Sequence, residues 1–324
     1  MKTPNTPTPQ FIVIGAGLSG LVLARELTHH YGPHSVKVLE KSRGLGGRLA
    51  TRRGNSTRFD HGSPEIPNSI HEILGVPPDL ARKEGATALA KALGSDLHIE
   101  KNSRATRIVK ESDHWSILCE DERVFEATHV VLTAPLPQAL ELLQQSSISI
   151  PESLPAIHYD KAVVVLSENC PGKSALSPPI ESLMDEHQKG ISPAPAWTLI
   201  FSPQWSEANF DLDEPALREK VIREIQHQSP DFRPNSDSGF SMEIKKWRYS
   251  KPQKTLKEPY MGLSSAPGLY LCGDAFSGSP SESFSDPRTH EAHFALQNAI
   301  QSAFALARHF GCEPQISRPK TIKG

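Results

Sequence analysis

Phe11-Ile-Val-Ile-Gly-Ala-Gly-Leu-Ser-Gly20, followed by Glu40 and then by Gly46-Gly47-Arg48, decides the reading of this 324-residue chain. The four apolar residues Phe11–Ile14 form a strand. Gly15 makes a tight turn, Gly17 leaves the backbone bare for a pyrophosphate, and Gly20 lets the next helix pack close to the strand. Leu18, Ser19 and Gly20 open that helix, so their N–H groups and the positive end of its dipole face the phosphates. A second strand, Val36–Leu39, ends in Glu40, placed to accept ribose hydroxyls. A carboxylate there repels a 2′-phosphate, so FAD or NAD is expected and NADP is not. Strand, turn, helix and acid at this spacing make a more specific signal than glycines alone.

The next segment, Glu40-Lys41-Ser-Arg-Gly-Leu-Gly46-Gly47-Arg48-Leu-Ala-Thr51, chooses between the two. It resembles the extension found in flavoproteins of the glutathione-reductase-like superfamily, where an acid, a short linker, Gly-Gly-Arg and Thr follow one another. The glycine pair lets the backbone pass close to the diphosphate and Arg48 neutralises it. FAD is therefore the expected cofactor.

Composition sets the outer bounds. The chain is long enough for a large core or two domains. Its formal net charge of −2 makes no electrostatic case for nucleic acid or an anionic membrane. The four cysteines, Cys119, Cys170, Cys272 and Cys312, form no CxxC pair and suggest neither a disulfide framework nor a metal site. No apolar stretch approaches the roughly 20 residues of a membrane span, and residues 1–9 lack the apolar centre of a signal peptide. A cytoplasmic protein with a disordered leader over 1–9 is expected.

Along the chain, residues 86–93 read as a short helix and 98–101 as a short strand. Residues 105–109 and 114–120 read as strands of a small meander turning at Ser112-Asp113, and 128–135 as a buried strand stopped by Pro135. A helix starts at 138–143. Residues 145–260 change character: Pro- and Ser-rich loops separate strands at 161–166, 196–202 and 242–247 and an amphipathic helix at 214–226. The chain then returns through the strand Gly268-Leu-Tyr-Leu-Cys-Gly273-Asp274 to a last helix, with Asp286 as N-cap, Pro287 at its first position and Gly311 as its stop. The expected class is α/β. A discontinuous Rossmann-like FAD-binding domain (10–62, 86–138 and 262–324) carries an inserted α+β, mostly antiparallel-sheet substrate domain (63–85 and 139–261).

With these pieces in place the chain resembles the renalase-like flavoproteins of the flavin amine oxidase superfamily. The resemblance rests on the fingerprint, Gly-Gly-Arg, Phe59-Asp60-His61-Gly62, Ser103-Arg104-Ala105-Thr106-Arg107-Ile108, Ala134-Pro135-Leu136-Pro137-Gln138-Ala139-Leu140, Trp197-Thr-Leu-Ile-Phe-Ser-Pro-Gln-Trp205-Ser206, Trp247-Arg248-Tyr249-Ser250 and Cys272-Gly273-Asp274. It implies an oxidase that takes hydride at flavin N5 from the 2- or 6-dihydro isomers of NAD(P) and passes the electrons to O2, giving H2O2. Oxidation of an amine or another small molecule, and a flavin-binding role without turnover, are the alternatives. The chain departs from the family in three places. Roughly 30 residues are missing after the Asp-x-Gly segment, well beyond ordinary loop variation. Ile200 stands where histidine is frequent, and a serine-rich loop, 277–288, follows Gly273-Asp274.

The resemblance assigns non-covalent FAD to Gly15, Gly17, Leu18, Ser19, Gly20, Glu40, Lys41, Gly46, Gly47, Arg48, Asp60, His61, Gly62, Ala105, Gly273 and Asp274. Asp274 is expected on a ribityl hydroxyl, and Ala105 on the adenine edge through its backbone. Trp197, Trp247, Tyr249 and His61 are candidate walls of the substrate pocket. No acid–base or nucleophilic constellation stands out, and no metal is expected. The remaining arginines, Arg43, Arg52, Arg53 and Arg58, form a rim that could guide an anionic substrate.

Overall fold

The computed structural model describes residues 8–63, 65–171, 177–235, 239–240, 242–277 and 294–314. The chain opens with β1 (Phe11–Ile14), α1 (Leu18–Tyr31) and β2 (Val36–Leu39), then a hairpin of β3 (Thr51–Arg53) and β4 (Arg58–Asp60). Three short helices follow, α2 (Asn68–Leu74), α3 (Pro78–Glu84) and α4 (Thr87–Leu93). Next come β5 (Ile99–Glu100), a meander of β6 (Ala105–Lys110), β7 (Trp115–Cys119) and β8 (Val124–Ala127), then β9 (His129–Leu132) and α5 (Leu136–Gln145). The middle of the chain supplies β10 (Tyr159–Ser167), β11 (Ile180–Asp185), β12 (Trp197–Phe201), α6 (Pro203–Asn209), α7 (Glu214–Gln228) and β13 (Glu243–Pro252). The last pieces are β14 (Met261–Gly262), β15 (Leu269–Leu271) and α8 (Phe294–His309).

The first sheet has the order β14-β15-β9-β1-β2-β5. It is parallel apart from the β14–β15 pair. Its central strand β1 is apolar at every position because both faces of the sheet are covered. Phe11 and Val13 pack with α1, α4 and α8, while Ile12 packs with Trp115 and Ile117 of the meander and Leu136, Ala139 and Leu143 of α5. Gly20 is what brings α1 down onto the turn: a Cβ there would lie 2.0 Å from the Gly15 carbonyl oxygen.

The second sheet, order β11-β12-β10-β13, is antiparallel. Alternation divides its side chains. Val163, Val165, Leu199 and Phe201 pack under α7, whereas Ala162, Val164, Leu166 and Ile200 pack on the other face with Phe59 and Trp247. That second face carries the sheet against the β3–β4 hairpin.

Two stretches expected in the inserted segment pack against the first sheet's side of the molecule. Residues 63–85 show no clear period in sequence, yet they hold α2 and α3, and Ile70, Ile73, Leu74 and Val76 join the core beside α1 rather than the second sheet. Residues 139–154 likewise pack beside the first sheet, where Leu142, Leu143, Ile148, Ile150 and Leu154 join the cluster of the meander. The expected caps Asp286 and Pro287, and residues 1–7 of the expected leader, lie outside the described residues. Among those residues no helix is long and apolar enough to cross a membrane.

Candidate functional site

The site grows from the turn between β1 and α1. Gly17 is the N-cap of α1, in an extended conformation and with no side chain capping the helix, so the first-turn N–H groups have no intrahelical acceptor. A Cβ at Gly17 would meet nothing within 4 Å. An open cradle over a bare helix N-terminus is what a pyrophosphate requires. The far wall is the Gly-Gly-Arg loop, since Gly17 and Gly46 form an isolated parallel bridge and the Gly46 N–H donates to the Ala16 carbonyl at 2.8 Å.

Glu40, 7% exposed, does more than the sequence suggests. Its Oε2 accepts from the Ala16 N–H at 2.8 Å and its Oε1 from the Ser42 N–H at 2.7 Å. It therefore clips the glycine turn to the loop that follows β2. Each carboxylate oxygen keeps further acceptor capacity, so the ribose role remains open to it. Ser103 donates its N–H to the Glu40 carbonyl at 2.8 Å, which brings the 103–105 segment, with Ala105, alongside. Lys41 is exposed and donates to Gln138 Oε1 at 3.3 Å. Leu18 and Ser19 are buried in the first turn of α1, and Ser19 Oγ lies 3.3 Å from Cys272 Sγ.

Arg48 and Asp274 meet directly. Arg48 Nη1 donates to Asp274 Oδ2 at 2.6 Å and to the Ser250 carbonyl at 2.9 Å, and Tyr159 donates its hydroxyl to Asp274 Oδ1 at 2.9 Å. Burial works against the Arg48 charge, but Asp274 outweighs it and holds the guanidinium above its ordinary pKa. Arg48 Nε and Nη2 have no partner among the described residues, so the arginine can still meet a phosphate. Gly273 is fixed by Ser302, whose Oγ accepts its N–H at 3.0 Å, and the Asn298 amide donates to the Asp274 carbonyl at 3.3 Å.

The return segment Asp60-His61-Gly62 lies against the same loop. The His61 N–H donates to the Ala50 carbonyl at 3.0 Å and the Ser63 N–H to the Arg48 carbonyl at 2.8 Å. His61 stacks on Trp247 with centroids 5.5 Å apart, and Trp247 Nε1 donates to the His61 carbonyl at 2.6 Å. Burial pushes the His61 pKa down to about 4, Lys245 adding to the shift, so the ring is neutral, and its buried Nδ1 has no partner among the described residues. Tyr249 stands edge-on to Tyr159 at 5.7 Å.

Other sequence candidates fall elsewhere. Trp197 shares the parity of Leu199 and Phe201, which face α7, so it stands on the opposite side of the sheet from Trp247 and forms no wall with it. Arg248 lies over the Phe210 ring at 5.0 Å and 3.9 Å from Asp211, away from the cradle. Arg52 grips Glu243, Arg53 donates to the Glu84 carbonyl, and Arg58 donates to the Lys83 and Ile191 carbonyls, so most of the expected rim is engaged. The Asp60 side chain points away from the cradle. Its Oδ1 accepts from Thr51 Oγ1 at 2.6 Å and the Ala86 N–H at 2.9 Å, and Oδ2 pairs with Lys189 at 3.3 Å. Behind it, Glu186 is fully buried and accepts from the Asp60 N–H and from Thr198. Burial lifts its pKa to about 7, Lys189 opposing and the Asp60 carboxylate adding. A cavity of about 260 Å³ opens beside Asp60, Lys189 and His71, and neither Gly17 nor Asp274 lines it.

Tyr159, Ser250 and Glu186 were not foreseen. A tyrosine at the start of an apolar strand and a glutamate after an aspartate carry no local signal, and Ser250 contributes only a carbonyl.

A mostly parallel sheet covered on both faces, with a glycine-lined helix N-terminus and joined to an antiparallel sheet, defines a dinucleotide-binding class of fold. Residues 13–69 match the NAD(P)-binding Rossmann-like domain, and residues 65–281, more than half of the chain, match the flavin containing amine oxidoreductase family. The chain belongs to that family and is a flavin-dependent oxidoreductase. Three solved structures share its fold. A protein of Exiguobacterium sp. assigned as a protoporphyrinogen oxidase is 12% identical with a TM-score of 0.65, over 94% of this chain and 99% of the other. An oxidoreductase from Methanosarcina mazei is 11% identical with a TM-score of 0.59, over 92% and 99%. A triple mutant of putrescine oxidase, redesigned in its cofactor binding, is 12% identical with a TM-score of 0.55, over 94% and 99%.

Proposed function

We propose that the protein holds FAD without a covalent link and oxidises a dihydronicotinamide, the 2- or 6-dihydro isomers of NAD(P). When bound, the flavin supplies a two-electron acceptor at N5 whose electrons pass on to O2. The substrate loses hydride and becomes NAD(P)⁺; O2 takes the hydride's two electrons and its proton together with one proton from solvent and leaves as H2O2.

In this reading the α1 N-terminus and Arg48 hold the diphosphate, Glu40 the ribose, and Asp274 a ribityl hydroxyl. The carrying observation is the stack of His61 on Trp247. It offers a flat, partly buried wall and a neutral imidazole. Glu243, whose field reaches His61, is paired with Arg52 and Lys245. A dihydropyridine needs orientation over a dry face and no strong base, which suits such a wall. The non-covalent link is supported by the thiol next to Gly273: burial lifts the Cys272 pKa to about 11, its serine contacts opposing, so no reactive thiolate faces the site.

The Tyr159–Tyr249 pair beside Arg48, together with the family match, favours a second reading, oxidation of an amine whose cation would lie against an aromatic face. Anaerobic titration of the FAD-loaded protein separates the two. Bleaching by 6-dihydro-NAD, with colour and peroxide returning in air, supports the first. Bleaching by putrescine alone supports the second, and a spectrum unmoved by either overturns both.

A further inference from the structure

The Trp247-Arg248-Tyr249-Ser250 segment forms an irregularity in β13 that has a use. Asp160 pairs with Lys251 and Ala162 with Trp247, so Arg248, Tyr249 and Ser250 stand opposite the single residue Lys161. Such a bulge re-aims the groups on its strand, and bulges gather near active sites. Here it turns the Ser250 carbonyl onto Arg48 Nη1, the nitrogen that also meets Asp274. From the neighbouring strand Tyr159 reaches the other oxygen of Asp274, and its own hydroxyl oxygen lies 3.4 Å from the Leu136 N–H at the start of α5. The acid next to Gly273, just past the end of β15, is thus held directly by one strand of the second sheet and, through Arg48, by another.

We infer that Tyr159 is a positioning residue of the flavin site: with the Ser250 carbonyl it fixes the Asp274–Arg48 pair, and it thereby couples occupancy of that site to the seating of the second sheet. The inference rests on the reading of Asp274 and Arg48 as FAD contacts. Burial and the neighbouring Asp274 carboxylate both raise the Tyr159 pKa, so the hydroxyl keeps its proton and stays a donor. A carboxylate 3% exposed depends on such donors to hold one rotamer. Fixing it before the flavin arrives removes part of the ordering cost of binding.

The test uses the full chain stripped of flavin and titrated with FAD, followed by flavin fluorescence, in four forms: unmodified, Tyr159→Phe, Asp274→Asn and the double variant. Tyr159→Phe retains the ring and its packing, so a structural role alone would leave affinity unchanged. The expected result is a Kd for FAD raised about tenfold by Tyr159→Phe, and a double variant no weaker than Asp274→Asn alone. A Kd within about twofold of the unmodified chain, or effects that multiply, overturns the inference. Hydrogen exchange on the unmodified chain tests it without any variant. FAD should slow exchange in β10 and β13 as well as at residues 15–20, and protection confined to 15–20 overturns it. Failure of the unmodified chain to bind FAD at all would instead remove the flavin reading beneath it.

Discussion

Two ionisable groups on the β4 side of the site, half-buried His61 and buried Glu186, pull in opposite directions with pH. His61 has a folded pKa near 4 against an ordinary 6.5, so the unfolded chain takes up the proton first. Its contribution is complete above pH 6.5 and is lost as pH falls toward 4. Glu186 has a folded pKa near 7 against 4.5, so the folded chain holds the proton first. Its contribution is complete below pH 4.5 and is lost as pH rises through 7. Between these limits the two slopes partly cancel. Glu186→Gln keeps the acceptor for Thr198 and the Asp60 N–H while removing the titration. That variant should gain roughly 1–3 kcal/mol over the unmodified chain at pH 8, and little at pH 4.5. Urea unfolding at the two pH values measures it, and an equal difference at both would contradict the raised pKa. Its stability should also fall more steeply as pH drops from 6.5, because the His61 slope is then unopposed.

At the scale of elements, the β1–α1 turn separates two kinds of glycine. Gly20→Ala drives a Cβ into the Gly15 carbonyl, backbone against backbone, and should cost the flavin-free chain several kcal/mol, at least the ~1–3 kcal/mol of ordinary overpacking. Gly17→Ala puts its methyl into open space and should cost the flavin-free chain no more than about 1 kcal/mol, the loss of a favourable N-cap residue. The same methyl occupies the cradle, so FAD affinity should fall at least about tenfold, a loss of about 1.4 kcal/mol. Melting of the flavin-free variants and FAD titration of Gly17→Ala distinguish packing from binding. Unchanged FAD affinity in Gly17→Ala would mean that no phosphate approaches that backbone. This turn could be read from the sequence because its constraints are local: a strand, three glycines and an acid within thirty residues, each with a steric or electrostatic reason. Residues 63–85 could not. Their helices are seven residues each, too short to show a period, and they are held by a core that β1, α1 and α8 build from distant sequence. Trp197 and Trp247 looked alike as bulky aromatics in strands, and only strand parity against α7 told them apart. Tyr159 was hidden because its contact, with Asp274, joins residues 115 apart in the chain.

At the scale of the whole molecule, charge decides how a substrate arrives. A cluster of arginines after Glu40 suggests an anionic dinucleotide drawn in from a distance, which would speed association strongly at low salt. The folded chain disposes these charges differently. Arg52 is bidentate to Glu243, Arg53 lies 3.8 Å from Glu84, Arg58 turns to backbone carbonyls and Arg48 neutralises Asp274. With a net charge of −2 over 324 residues and carboxylates paired to Arg48 and Arg52, the positive field at the cradle is weaker than the count of arginines suggests. The specificity constant kcat/KM for a dihydronicotinamide should therefore change less than about threefold between low salt and ~0.15 M, where charges are screened beyond about 8 Å. An uncharged or cationic amine should be as insensitive, so stopped-flow flavin bleaching across a salt series compares both substrates on one scale. A fall of tenfold or more for the dinucleotide alone would show that the engaged arginines still project a field. Arg52→Gln should then flatten that dependence if the pair with Glu243 opens in solution.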